Sequence, residues 1–141
     1  KFKNAYQKAT VNLIYTVGWM RDKTKCIFDA AGITSQQFNI LRILRGSFPK
    51  PISTLQLRER MLEKMSDTSR IVDRLIAKGL VKKITCKTDR RLVDVIITDK
   101  GKKLLENLDK KQEEMDQVLA KISEEEANIL SNLLDKIRDG A

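Results

Sequence analysis

The sequence predicts a mainly helical α+β protein, in which a short helix runs into a two-stranded hairpin and long helices stand at both ends. Three observations predict it. In Ser66–Gly101, SDTSRIVDRLIAKGLVKKITCKTDRRLVDVIITDKG, the apolar spacing is helical up to Ile76 and alternating after Gly79. Gly79 suits the left-handed position that closes a helix, since it lacks the Cβ that makes this conformation costly. Two strand-like runs, about Val81–Thr85 and Val93–Ile97, flank a basic turn, Cys86-Lys87-Thr88-Asp89-Arg90-Arg91. A polar-faced helix followed by a hairpin with arginines at its tip is the form of a winged helix-turn-helix. The helix is shaped for a major groove, and the hairpin for the adjoining backbone or minor groove.

The flanking elements follow in order. Phe2, Tyr6, Ala9, Leu13, Val17 and Met20 step by three or four, with Ile27 and Phe28 extending the stripe, which predicts a helix over residues 2–28. At 1.5 Å per residue it spans about 40 Å, more than a small domain covers. A second chain on part of its stripe and a helix lying across its own core are both open at this point. Ala30-Ala31-Gly32 ends it, and Thr34-x-x-Gln37 is a capping box opening a helix that buries Phe38, Leu41 and Leu44. Gly46–Pro51 carries two prolines and reads as a loop. Ser53-x-x-Gln56 opens a short helix whose apolar stripe is expected at Leu55, Leu57 and Met61. The next helix, the groove reader, is expected to start between Glu63 and Ser66. After the hairpin, Thr98 is an N-cap for one helix through Leu104, Leu105, Leu108, Met115, Val118, Leu119 and Ile122. Ser123-Glu124-Glu125-Glu126 caps a last helix carrying Ala127, Leu130, Leu133, Leu134 and Ile137, with an acidic first turn that complements the helix dipole. The leucine-striped terminal pair has the form of a dimerisation device, with a hairpin packed back on its own domain as the alternative.

Composition narrows the function. The 141 residues make one domain of 41% hydrophobic and 33% charged side chains, with no apolar run near the roughly 18 residues of a membrane helix. The net charge of +9 is uneven: residues 1–57 hold nine basic and two acidic side chains, 58–91 eleven and five, and 98–141 eight and eleven. That distribution suits a body that binds a polyanion and terminal helices with another task. The chain has no histidine, which removes the commonest general base and metal ligand, and it carries no phosphate loop or nucleophile elbow. No enzyme, cofactor or metal site is expected. The two cysteines, Cys26 and Cys86, have neither metal-ligand spacing nor a disulfide framework, so a reducing cytoplasm is the simplest compartment.

With these elements in place, the chain resembles the MarR family of transcription regulators over nearly its whole length. The resemblance rests on an ordered set of motifs. These are Ile33-Thr34-x-x-Gln37-Phe38-x-x-Leu41, then Ser69-Arg70-Ile71-Val72-Asp73-Arg74-Leu75, Lys78-Gly79-Leu80-Val81, Asp89-Arg90-Arg91 and Ile97-Thr98-Asp99-Lys100-Gly101. Ile97 stands where leucine is usual, and Asp67 puts an acid, which repels phosphate, at the start of the groove helix. The resemblance implies a single domain over residues 1–141, with 1–30 and 102–141 as dimerisation helices and 33–101 as the DNA-binding lobe. It also implies a homodimer on a pseudo-palindromic operator in double-stranded DNA, acting as a repressor released by a small, often aromatic or anionic, effector or by an oxidant. The competing reading is a winged-helix protein–protein interaction module with no DNA target.

The candidate DNA-binding residues are Ser66, Thr68, Ser69, Arg70 and Arg74 on the helix and Lys87, Arg90 and Arg91 on the hairpin. Arg70 and Arg74 are four apart and share a face, and arginine forks onto guanine or clamps phosphate. Ser66 is either a cap presenting amides to a phosphate or a cap alone. Arg74 has an alternative as an intramolecular partner of Asp73 or Glu63. Arginine at the hairpin tip suits narrow A·T-rich minor grooves, with Asp89 as a brace, whereas an ordinary charged tip stays solvated. Tyr15, Trp19 and Phe38 are candidate effector-binding residues, or else core or interface. Cys26 and Cys86 are either redox-sensing thiols or small semi-buried hydrophobes.

Overall fold

A computed structural model describes residues 1–63, 65–85 and 93–139. The chain divides into two compact units, one of residues 25–110 and one of residues 1–24 with 111–141. Helix α1 (Ala5–Ala30) contributes to both.

In the unit of residues 25–110, the end of α1 is followed by α2 (Ser35–Ser47), β1 (Ile52–Ser53), α3 (Thr54–Arg60), α4 (Thr68–Ala77), β2 (Val81–Thr85), β3 (Val93–Ile97) and α5 (Asp99–Asp109). The strands form one antiparallel sheet in the order β1-β3-β2, with Ile52 opposite Val95 and Val81 opposite Ile97. Thus the expected pair of strands gains a third, lying between the proline loop and the Ser53 cap of the next helix. Two residues are too few to show a period of two.

Local chemistry sets the helix ends. Thr34 Oγ1 accepts the Gln37 amide at 3.1 Å while Gln37 Oε1 accepts the Thr34 amide at 3.2 Å, and Ser53 with Gln56 repeats the arrangement at α3. Thr98 Oγ1 accepts the Gly101 amide at 3.2 Å and donates to the Gly79 carbonyl at 2.7 Å, so one hydroxyl starts α5 and secures the end of α4. Ile40, Leu41 and Leu44 of α2, Leu57 of α3, Val72 and Leu75 of α4, Val81, Val95 and Ile97 of the sheet, and Leu105 and Leu108 of α5 form the core. Gly101 sits in the tightest place: a Cβ there would lie 2.4 Å from the Leu80 carbonyl oxygen and 2.7 Å from Ile97 Cγ1.

One expectation about the segment after the hairpin is corrected. The helix from Thr98 stops at Asp109 instead of running on through Ile122; a five-residue α6 (Gln112–Asp116) and turns follow it. No proline or glycine marks the break. At this point the Asp109 carboxylate accepts two hydrogen bonds from the Arg45 guanidinium, at 2.5 and 3.2 Å, tying the end of α5 to α2. That pairing holds the Asp109 carboxyl below its usual range, against a smaller opposing effect of burial, and it raises the Arg45 pKa. In addition, α5 packs against α2 and buries Leu105 and Leu108 in the lobe.

The other unit holds most of α1, α6 and α7 (Glu124–Arg138). The Ser123–Glu126 capping box opens α7 as expected, at 2.8 and 3.2 Å. Its apolar residues are poorly covered: Tyr6, Val11, Ile14, Tyr15 and Val17 of α1 and Ile129, Leu130, Leu133 and Ile137 of α7 are all exposed.

Candidate nucleic-acid interface

Helix α4 divides cleanly by face. Ile71, Val72 and Leu75 are buried, whereas Ser69, Arg70, Asp73 and Arg74 are exposed. Hydrogen bonds and ion pairs hold the helix on several sides. The turn entering it is fixed to α2, where Asn39 Oδ1 accepts the Leu62 amide at 3.0 Å and Gln36 Nε2 donates to Glu63 at 2.7 Å. Lys83 of β2 pairs with Asp73 at 3.3 Å, and the Lys78 ammonium donates to the Gly32 carbonyl and to Gln37 Oε1 at 3.3 Å. The helix closes at Gly79, whose φ of +70° is the left-handed turn expected from the sequence. A helix seated this way presents its outer face with little freedom to tilt, which base reading requires.

The N-terminus differs from expectation. The helix begins at Thr68, later than the Glu63–Ser66 window, because Asp67 is the N-cap: its carboxylate accepts the Arg70 amide at 3.2 Å. Ser66 is therefore not the cap, and its hydroxyl lies 3.4 Å from Gln36 Nε2. Thr68 is buried and its hydroxyl faces Met61 Sδ at 3.3 Å, so it packs against the lobe at the edge of the exposed face. The capping role also accounts for Asp67, the acid that fits a phosphate-binding surface poorly. Besides capping, it lies 3.6 Å from the Arg70 guanidinium; with both side chains well over half exposed, solvent screens that pair strongly.

Arg74 forms no ion pair among the described residues. Its alternative partners are engaged elsewhere, Asp73 with Lys83 and Glu63 with Gln36. The Arg74 side chain borders an open groove with Asp29, Thr34, Gln37 and Lys78. Lys87, Arg90, Arg91, Asp89 and Cys86 lie outside the described residues.

Sequence reading missed the contribution of α3. Leu55 is 62% exposed, because a residue two positions from Leu57 points to the other side of a helix while Met61, four away, shares its burial. Thr54, Leu55 and Arg58 face Ser66, Asp67 and Ser69 across a cleft of about 270 Å³. The available signal was this spacing relative to Leu57.

The candidate effector residues are divided between the two units. Tyr15 and Trp19 are exposed on α1 in the unit of residues 1–24 and 111–141. Phe38 is half-buried in the other unit, 5.0 Å from the Phe28 ring centroid and under the Arg42 guanidinium at 5.7 Å. Cys26 is exposed, contrary to the semi-buried reading. No described helix is long and apolar enough to cross a membrane.

Comparison with known proteins agrees with this architecture. The MarR family model matches residues 31–92, which span α2, α3, α4 and β2. A MarR transcription factor from Planctomyces limnophilus is 32% identical, with the match covering 96% of this chain and 98% of that one at a TM-score of 0.73. The MepR of S. aureus, solved as a DNA complex, is 21% identical over the full length of both chains and shares the fold at a TM-score of 0.79. YpoP of Bacillus subtilis, an uncharacterized HTH-type transcriptional regulator, is 29% identical over 82 residues, 58% of this chain and 57% of that one. Matched by the family model over residues 31–92 and by a 32% identical MarR transcription factor over 96% of its length, the chain belongs to the MarR family of winged-helix transcription regulators.

Proposed function

We propose that this regulator is a cytoplasmic homodimer that binds a pseudo-palindromic operator as a ligand-responsive repressor. The carrying observation is the outer face of α4, where Ser69, Arg70 and Arg74 are exposed on a helix anchored on its other sides. In this reading α4 enters the major groove. Arg70 exchanges its exposed Asp67 contact for a base edge or phosphate, and Arg74 reads or clamps alongside it. Arg58, across the cleft from Ser69, adds a phosphate contact, while Lys87, Arg90 and Arg91 take the flanking minor groove or its backbone. The MepR–DNA complex supports this reading, since that protein has the same fold and was solved on DNA. The exposed apolar residues of α1 and α7 supply the dimer surface. A small effector acting near Tyr15, Trp19 or Phe38 completes the family pattern.

Selection of bound duplexes from a random pool tests it. The expected product is a palindrome with half-sites about one helical turn apart, ~34–36 Å centre to centre. Affinity for that duplex should fall by about 10³–10⁵ between 50 and 200 mM salt if ~6–10 phosphates are contacted. A pool that yields no enriched sequence, with no salt-sensitive binding to any duplex, would sink the proposal.

A further inference from the structure

We infer that Leu55 and Met65 read the 5-methyl group of thymine, giving the interface an apolar specificity element beside its arginines. The inference rests on the DNA-binding reading of α4 and adds the base class it selects. Within the short stretch from α3 to the start of α4, three large apolar side chains stand exposed: Leu55 at 62%, Leu62 at 85% and Met65 at 98%. A single exposed leucine is ordinary, but these occupy the element that carries the groove helix, and none belongs to α1 or α7.

Their surroundings name the partner. Leu55 lines the same cleft as Ser69, whose side chain is on the outer face of α4, and Arg58 lines that cleft as well. Met65 precedes Ser66 in the turn that leads into α4, beside the N-terminal end that contacts base edges in helix-turn-helix docking. An apolar partner protein would have to desolvate Arg58, Arg60, Arg70 and Arg74, exposed guanidinium groups of the same elements, whereas a duplex meets those charges with phosphates. On the floor of the major groove, the thymine methyl is the apolar group a leucine or methionine can cover. Removing one methyl from water is worth about four-fold in affinity.

The test replaces thymine by deoxyuridine, one position at a time, in the duplex recovered from the random pool. This deletes the methyl and keeps every hydrogen-bonding group. Wild-type protein should bind about three- to ten-fold more weakly at one or two positions per half-site. Leu55→Ala or Met65→Ala should bind the thymine and uracil versions equally at one of those positions, with the salt dependence unchanged. Both side chains are exposed, so thermal melts should match wild type, and the comparison on unaltered protein needs no variant. Equal binding of thymine and uracil duplexes at every position would overturn the inference. So would discrimination that survives intact in both variants, because other residues would then be reading the methyl. Loss of binding to all duplexes would overturn the DNA reading itself, and the inference with it.

Discussion

Asp67 has two opposing effects at the tip of α4. Its carboxylate satisfies the Arg70 amide and starts the helix, yet its charge stands where phosphate should approach. Asparagine caps about as well as aspartate and carries no charge. Asp67→Asn should therefore keep the melting temperature and tighten binding to all duplexes alike, whereas Asp67→Ala should cost about 0.5–2 kcal/mol of stability. Denaturant unfolding and a duplex titration separate the two effects; equal destabilisation by both substitutions would show that the cap is not what the carboxylate provides. Arg74 tests the opposite sign. As a base or phosphate contact not held in an ion pair among the described residues, Arg74→Ala should weaken operator binding by about 1–3 kcal/mol without changing the unfolding midpoint. Gly101 belongs to stability alone. A Cβ at 2.4 Å from a backbone carbonyl cannot be relieved by rotating a side chain, so Gly101→Ala should destabilise the lobe by about 1–3 kcal/mol through overpacking.

Among elements, those legible in the sequence were the ones fixed by neighbours along the chain. Three capping boxes, the Thr98 cap and the left-handed turn at Gly79 each depend on residues within a few positions, and each stands where the sequence puts it. Features decided by contacts distant in sequence were not legible. Strand β1 exists because Ile52 pairs with Val95, and α5 ends where Asp109 meets Arg45, 64 positions away. The site divides the same way: the exposed face of α4 followed from helical spacing, but the burial of Thr68 depended on Met61 and the cleft on α3. The Arg45–Asp109 pair also predicts a pH dependence. Because the folded Asp109 carboxyl is held below its ordinary range, its contribution is fully present above the unfolded pKa of about 3.9 and is lost as pH falls through the lower folded value. Wild type should then exceed Asp109→Asn in stability at neutral pH, by a small margin since the side chains are 34% and 48% exposed, and the margin should shrink below about pH 4 and vanish once pH passes the lower folded value. Denaturant midpoints across a pH series measure it; a margin that persists into strong acid would assign the effect to packing.

At the scale of the whole molecule, the two units divide burial unequally. Among the described residues, the buried apolar side chains all lie in the lobe of residues 25–110, from Ile27 to Leu108, whereas α7 buries none. A helix with Ile129, Leu130, Leu133 and Ile137 exposed gains little from folding unless something covers that face. In the function proposed above, a second copy is the partner on this face, because a two-fold operator would place one lobe on each half-site. Two carboxylates placed on this face would have to be desolvated in any dimer that uses it. The double substitution Leu130→Glu, Leu133→Glu is therefore expected to shift the mass by light scattering from two chains to one. Because α7 buries none of its residues, that monomer should still unfold cooperatively, and it should bind an isolated half-site while losing the added affinity of the second. A double variant that remains two chains in mass would move the interface away from α7, even if operator binding fell.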